Sequence, residues 1–129
     1  MSDGLLDTTF FIDLRSGDAA AARLWQDVRA GTMSAAYSAV TVFELWVGPS
    51  FSNEDERFFQ GVFDRLELVP VSGFAAALAG RWLRGQTRPT RERRMRDALI
   101  GASAWERSEP VYTRNAADFR RYSLHVQAY

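Results

Sequence analysis

An alternation constrains this chain more than any other feature. Short, largely apolar runs at Leu5–Leu6, Ala35–Val40, Leu68–Val71 and Pro110–Thr113 are separated by longer segments with helical spacing. Strands that lack an apolar-polar alternation are buried on both faces, so helices must cover both sides of their sheet. Leu124–Gln127 adds a fifth, edge strand. The expected fold is a single α/β domain over residues 1–129, three-layered α/β/α, with a mostly parallel sheet of four to five strands.

The intervening segments carry helix signals. Thr8–Leu14 turns helical before Gly17, and Asp18 caps a helix through Leu24, Trp25 and Val28 that stops at Gly31. Thr41 is read as the cap of a short helix holding Phe43, Glu44, Leu45 and Trp46, closed by Gly48-Pro49. Asn53 is read as the cap of a helix whose Phe58, Phe59, Val62, Phe63 and Leu66 recur at helical spacing. Gly73–Arg84, Met95–Trp105 and Asn115–Arg121 complete the set.

What the chain lacks narrows its chemistry. There is no cysteine and no lysine, and His125 is the sole histidine. Disulfide frameworks, thiolate nucleophiles, Schiff bases and a phosphate-loop lysine are excluded, and a conventional zinc site has too few ligands. No glycine-rich phosphate cradle occurs. No apolar run approaches the roughly 20 residues that span a bilayer. Met1-Ser2-Asp3-Gly4 opens without a basic stretch, so no secretory signal, no membrane partner and a cytoplasmic location are expected.

Oxygen ligands are what remains, and four acids stand out. Asp7 ends the first strand, Glu44 follows the second, Asp97 opens the Met95–Trp105 helix and Asp118 follows the fourth strand. Open α/β sheets bind ligands beyond the carboxyl ends of their strands, where these acids would meet. Gathered carboxylates repel unless a hard cation neutralises them. Each acid also has a structural reading. Asp97 suits helix capping, Asp118 lies three after Asn115 as in a capping box, and Glu44 could face solvent. Asp7, between Leu5-Leu6 and Phe10-Phe11-Ile12, has no evident structural partner.

All sixteen basic residues are arginine, balanced by sixteen acids. From Arg81 to Arg96 there are seven arginines and one acid, 7 − 1 = +6, so the other residues carry −6. Guanidinium forks match phosphate oxygens. A solvated helix end and a phosphate-binding surface are both consistent with such a run.

The segment Leu5-Leu6-Asp7-Thr8-Thr9-Phe10-Phe11-Ile12-Asp13-Leu14 resembles the opening motif of PIN-domain proteins. Ser38–Leu45 with Gly48 is similar to their second motif, Asp97–Ala104 to the third and Thr113–Phe119 to the fourth. The four occur in order across nearly the whole chain. By length and wording they resemble the VapC-type toxins of VapBC toxin–antitoxin pairs.

The resemblance implies a PIN-like fold and an endoribonuclease dependent on Mg²⁺ or Mn²⁺, with Asp7, Glu44, Asp97 and Asp118 as metal-site acids. It implies that Asn115 and Thr8 or Thr113 orient them. It also implies a homodimer and a cognate antitoxin partner. Arg88, Arg91, Arg93, Arg94 and Arg96, with Arg114, would hold the RNA backbone. Thr9 departs from the family, where asparagine or serine is common, and the arginine run is unusually dense. A PIN-type nuclease of RNA processing and a non-catalytic PIN scaffold binding RNA or protein are the alternatives. Trp46, Phe51, Phe58, Phe59 and Phe63, or Leu24, Trp25 and Val28, are candidate partner surfaces.

Overall fold

In the computed structural model, which describes residues 1–129, the chain forms five strands and seven helices. β1 (Leu5–Leu6) leads to α1 (Thr8–Arg15) and α2 (Ala19–Ala30), and β2 (Ala36–Ser38) to α3 (Ala39–Trp46) and α4 (Asn53–Phe63). β3 (Glu67–Val69) precedes α5 (Gly73–Leu83) and α6 (Arg88–Arg107), and β4 (Val111–Tyr112), α7 (Ala116–Arg120) and β5 (Val126–Gln127) follow. The sheet order is β3-β2-β1-β4-β5 and every neighbouring pair is parallel. The expected parallel sheet is present with all five strands.

The period of two along each strand sorts the core into two faces. Leu5, Ala36 and Val111 are in register and point to one face, where Ile100 and Ala104 of α6 and Phe119 of α7 cover them. Leu6 and Tyr37 point to the other and pack with Phe10 and Phe11 of α1, Val28 of α2 and Phe59 and Phe63 of α4. α5 lies outside this, against α6, through Ala75, Ala79 and Leu83 facing Ala98 and Ala102. Alanine on both helices lets the two axes approach closely. No helix is long and apolar enough to cross a membrane.

Three helix starts differ from the sequence expectation. α3 begins at Ala39 with Ser38 as its cap, because the Ser38 hydroxyl accepts from the Val40 amide at 3.0 Å. Thr41 is thereby left inside the helix. α4 is capped by Ser52, whose hydroxyl and the Asp55 carboxylate satisfy each other's backbone amides. α6 begins at Arg88, not Met95, capped by Thr87 with Pro89 in its first turn. Proline there loses only an amide that no helical carbonyl would receive. The arginine run is thus helix.

The aromatic residues divide differently from expectation. Phe59 and Phe63 are buried, and Trp46, Phe51 and Phe58 pack partly buried against the same core. Leu24 and Trp25 are also partly buried there, with Val28 buried. The exposed apolar side chains on this side are instead Ile12, Phe43 and Val47.

Phe11 is fully buried and meets Phe10 and Phe63 edge to face, with centroids 5.2 and 5.3 Å away. Phe11→Ala is expected to destabilise by about 3–5 kcal/mol. Urea unfolding would show this as a lowered midpoint with an unchanged slope.

Candidate active site

β1 is the central strand, and the connections reverse around it, with β2 and β3 on one side and β4 and β5 on the other. Such a reversal opens a crevice beyond the strand ends. Asp7 follows β1 at that point and is 2% exposed. It caps α1, Oδ1 accepting from the Thr8 amide at 2.8 Å. Oδ2 accepts from the Thr113 hydroxyl at 2.8 Å and the Thr9 hydroxyl at 3.0 Å. Thr113 directly follows β4, so the segments leaving two adjacent strands fix one carboxylate.

Glu44 is reached from α1. The Thr8 hydroxyl donates to Glu44 Oε1 at 2.7 Å and lies 2.8 Å from the Thr41 hydroxyl. Thr8 has one proton, committed to the carboxylate, so Thr41 is the donor in the second bond. A Thr41–Thr8–Glu44 chain results.

Thr8 and Thr113 both orient acids, where the sequence left a choice between them. Asn115 acts through its backbone: its amide donates to the Thr113 hydroxyl oxygen at 2.9 Å, and its side chain makes no capping bond to α7. Thr9 and Thr41 are orienting groups that the sequence does not single out: Thr9 reaches Asp7 because Asp7 caps the helix whose first turn holds Thr9, and Thr41 acts on Glu44 only through Thr8.

Asp97 is not a capping acid, because α6 begins nine residues earlier at Arg88. The helix interior carries no terminal amides to stabilise its charge, so another reason must hold it there. Asp118, in the first turn of α7, pairs with Arg121 Nη2 at 3.1 Å.

The electrostatics tie the four acids together. Asp97 is pushed up from an ordinary 3.8 to about 7, first by burial, then by the charges of Asp7, Asp118 and Glu44, with Arg121 opposing. Burial also raises Glu44, assisted by the Asp7 charge and opposed by the Thr8 hydrogen bond and by Arg96. Burial raises Asp7 against its hydroxyl and amide donors. Residues from 7 to 118 thus share one neighbourhood of negative charge.

No three of these acids form a finished ion cage. Their donor chemistry nevertheless fits a hard divalent cation: oxygen atoms only, partly dehydrated and mutually repelling. The exposed His125 lies at the opposite, amino end of β5 and offers nothing to them.

The arginines separate by helix face. Arg93 and Arg94 lie four and three residues before Asp97, on its side of α6. Arg88 and Arg91 instead line a groove with Leu83, Arg84 and Met95 between α5 and α6. Arg88 also pairs with Glu92 at 2.9 Å, and Arg91 donates to the Gln86 carbonyl at 3.0 Å. Arg114 is engaged elsewhere, paired with Asp13 and Asp18 and lying over the Tyr129 ring. Two buried side-chain polar atoms lack a hydrogen-bond partner, Arg96 Nε and Tyr122 Oη.

A five-stranded parallel sheet covered by helices on both faces, with acids beyond the carboxyl end of its central strand, defines a class of three-layer α/β folds. Within it, the chain belongs to the PIN-domain family, whose model matches residues 4–124. Similar solved structures are complexes. A chain of VapBC2 from Rickettsia felis, bound to a DNA fragment from their promoter, matches at TM-score 0.71 and 20% identity over 97% of each chain. DNA-bound VapBC from Salmonella typhimurium matches at 0.69 and 23%, over 99% of this chain and 98% of that one. A toxin–antitoxin complex from Klebsiella pneumoniae matches at 0.64 and 26%, over 90% and 89%. No curated protein sequence matches significantly.

A carboxylic acid with a raised native pKa binds its proton more tightly folded than unfolded. Stability therefore falls as pH climbs from about 4 to about 7, opposite to the usual salt-bridged acid. The rise at Asp97, discounted for its partial exposure, corresponds to about 1–2 kcal/mol. Asp97→Asn should raise the melting temperature of the metal-free protein at pH 7.5 and leave it nearly unchanged at pH 4, by calorimetry.

Proposed function

We propose that the chain, acting as one domain over residues 1–129, is a metal-dependent endoribonuclease and the toxin of a toxin–antitoxin pair. The observation that carries this reading is the buried Asp7 carboxylate at the end of β1, fixed by Thr9 and Thr113, with Glu44 held beside it through Thr8 and with Asp97 and Asp118 close enough for their charges to repel. An uncompensated cluster of that kind destabilises the fold, and catalysis is the common reason to keep one.

Asp7, Glu44, Asp97 and Asp118 would hold Mg²⁺ or Mn²⁺, whose chemistry there is to make water nucleophilic near neutral pH and to neutralise charge on phosphoryl oxygens. Thr9 and Thr113 fix the direction of Asp7 Oδ2, and Thr8, backed by Thr41, fixes Glu44. Such orienting bonds keep the carboxylates from swinging towards solvent. Arg93, Arg94 and Arg96 are the guanidinium groups best placed to bind RNA phosphates beside the acids. Arg88 and Arg91 extend that positive surface around the helix, while Arg114 contributes through the Asp13–Tyr129 cluster at its edge.

The similarity to toxin–antitoxin complexes supports an antitoxin partner. A shallow groove lined by Ile12, Arg15, Leu45, Phe51 and Phe59 supports a surface for it, and exposed Phe43 and Val47 on α3 support a homodimer contact. These would be cytoplasmic assemblies.

The test is cleavage of single-stranded RNA with Mg²⁺ or Mn²⁺, with and without chelator. Chelation and Asp7→Asn should each abolish cleavage, the variant keeping its far-ultraviolet dichroism. Full activity of Asp7→Asn would overturn the reading. For RNA bound without turnover, removing any one of Arg93, Arg94 or Arg96 should reduce the slope of log affinity against log salt by about 0.7, if each neutralises one phosphate.

A further inference from the structure

Tyr122 is absorbed by nothing above. It follows α7, four residues after Asp118, and its ring stacks on Trp82 with centroids 4.5 Å apart and planes 11° from parallel. The ring belongs to the small-residue seam between α5 and α6, against Ala98, the residue after Asp97. Tyr122 is 8% exposed, and its hydroxyl meets no hydrogen-bond partner. Packing alone would be served as well by phenylalanine. A buried hydroxyl left without a partner is unfavourable, so its retention asks for an acceptor.

Trp82, on which Tyr122 stacks, lies against Gly101, one turn after Asp97 on the same face of α6, so the phenol sits by the face that carries Asp97. The charged groups around it are Arg94, Arg121, Asp97 and Asp118. The arginines have only donors, so they cannot receive the phenolic proton. Asp118 is already paired with Arg121 at 3.1 Å. Asp97 receives no hydrogen bond at all. One unpartnered donor and one unpartnered acceptor thus stand on the same wall of the crevice, which is the α6–α7 junction. Burial keeps the phenol away from substrate, so it cannot act on RNA directly.

Resting on the metal-site reading of the four acids, we propose that Tyr122 is a positioning residue: its hydroxyl donates to the ionised Asp97 carboxylate and turns it towards the ion. Asp7 and Glu44 have hydroxyl donors from Thr113, Thr9 and Thr8 that do this for them. Tyr122 supplies the same service to the acid that otherwise lacks one. Arg96, whose Nε is the other unpartnered atom, acts on Glu44 and not on Asp97, so it does not supply the missing donor.

The experiment is calorimetric titration of the purified protein with Mn²⁺, wild type against Tyr122→Phe, together with melting of both proteins in chelator. Loss of an orienting partner typically weakens metal binding 10- to 100-fold, and about tenfold is expected here. The metal-free melting temperature of Tyr122→Phe should be equal or higher, because an unpaired buried hydroxyl has been removed. Equal Mn²⁺ affinity in the two proteins overturns the positioning role while the metal site stands. Weaker binding with a lowered melting temperature also overturns it, since the hydroxyl would then serve the fold. A wild type that binds no Mn²⁺ overturns the metal-site reading, and this inference with it.

Discussion

The structure depends on holding Asp7 ionisable in a place where a carboxylate is unwelcome. It sits just beyond the central strand, almost fully shielded, with Leu5-Leu6 before it and the buried Phe10-Phe11 pair one turn after it. Desolvation alone would force it neutral. One backbone amide and two hydroxyls oppose that, and they come from α1 and the end of β4. The register of β1 against β4 and the start of α1 are therefore fixed by the same few atoms that define the crevice. Fold and site share one set of constraints.

The cluster around Asp7 is a stored electrostatic penalty. Asp97 has no cationic partner in contact and no helix terminus to favour it, and its neighbours are acids. Evolution would replace such a residue if stability were the only demand. Its place inside α6, flanked by arginines that point the same way, is what separates this from an ordinary solvated acidic face.

Much of this was legible in the sequence. The strands were, because buried parallel strands are written as uninterrupted apolar runs such as Leu5-Leu6. Asp7 stood out because an acid directly after a buried apolar run has few structural uses, and the structure puts Glu44, Asp97 and Asp118 within reach of its charge. Helix starts were less legible: Ser38 and Thr41 are both good caps, and only the backbone turn after β2 selects the first. α6 was truncated in the reading because Arg88–Arg96 has no apolar period, although Thr87 with Pro89 marks a helix start by the usual rule. Thr9 and Thr41 looked like helix formers or caps, and hydroxyl roles depend on proton counts that no spacing reveals. Tyr122 was invisible for the opposite reason. An aromatic after a short helix reads as core, and its ring is core.

The brevity of the strands has a consequence of its own. β3 and β5 close the sheet with three and two residues. An intruding chain laid alongside either would find only a couple of free backbone groups, too few to template a new strand. Such short edges disfavour recruitment by edge extension and the runaway stacking that long edges invite. The helix faces, with their exposed side chains, are left as the larger surface on which recognition can be written.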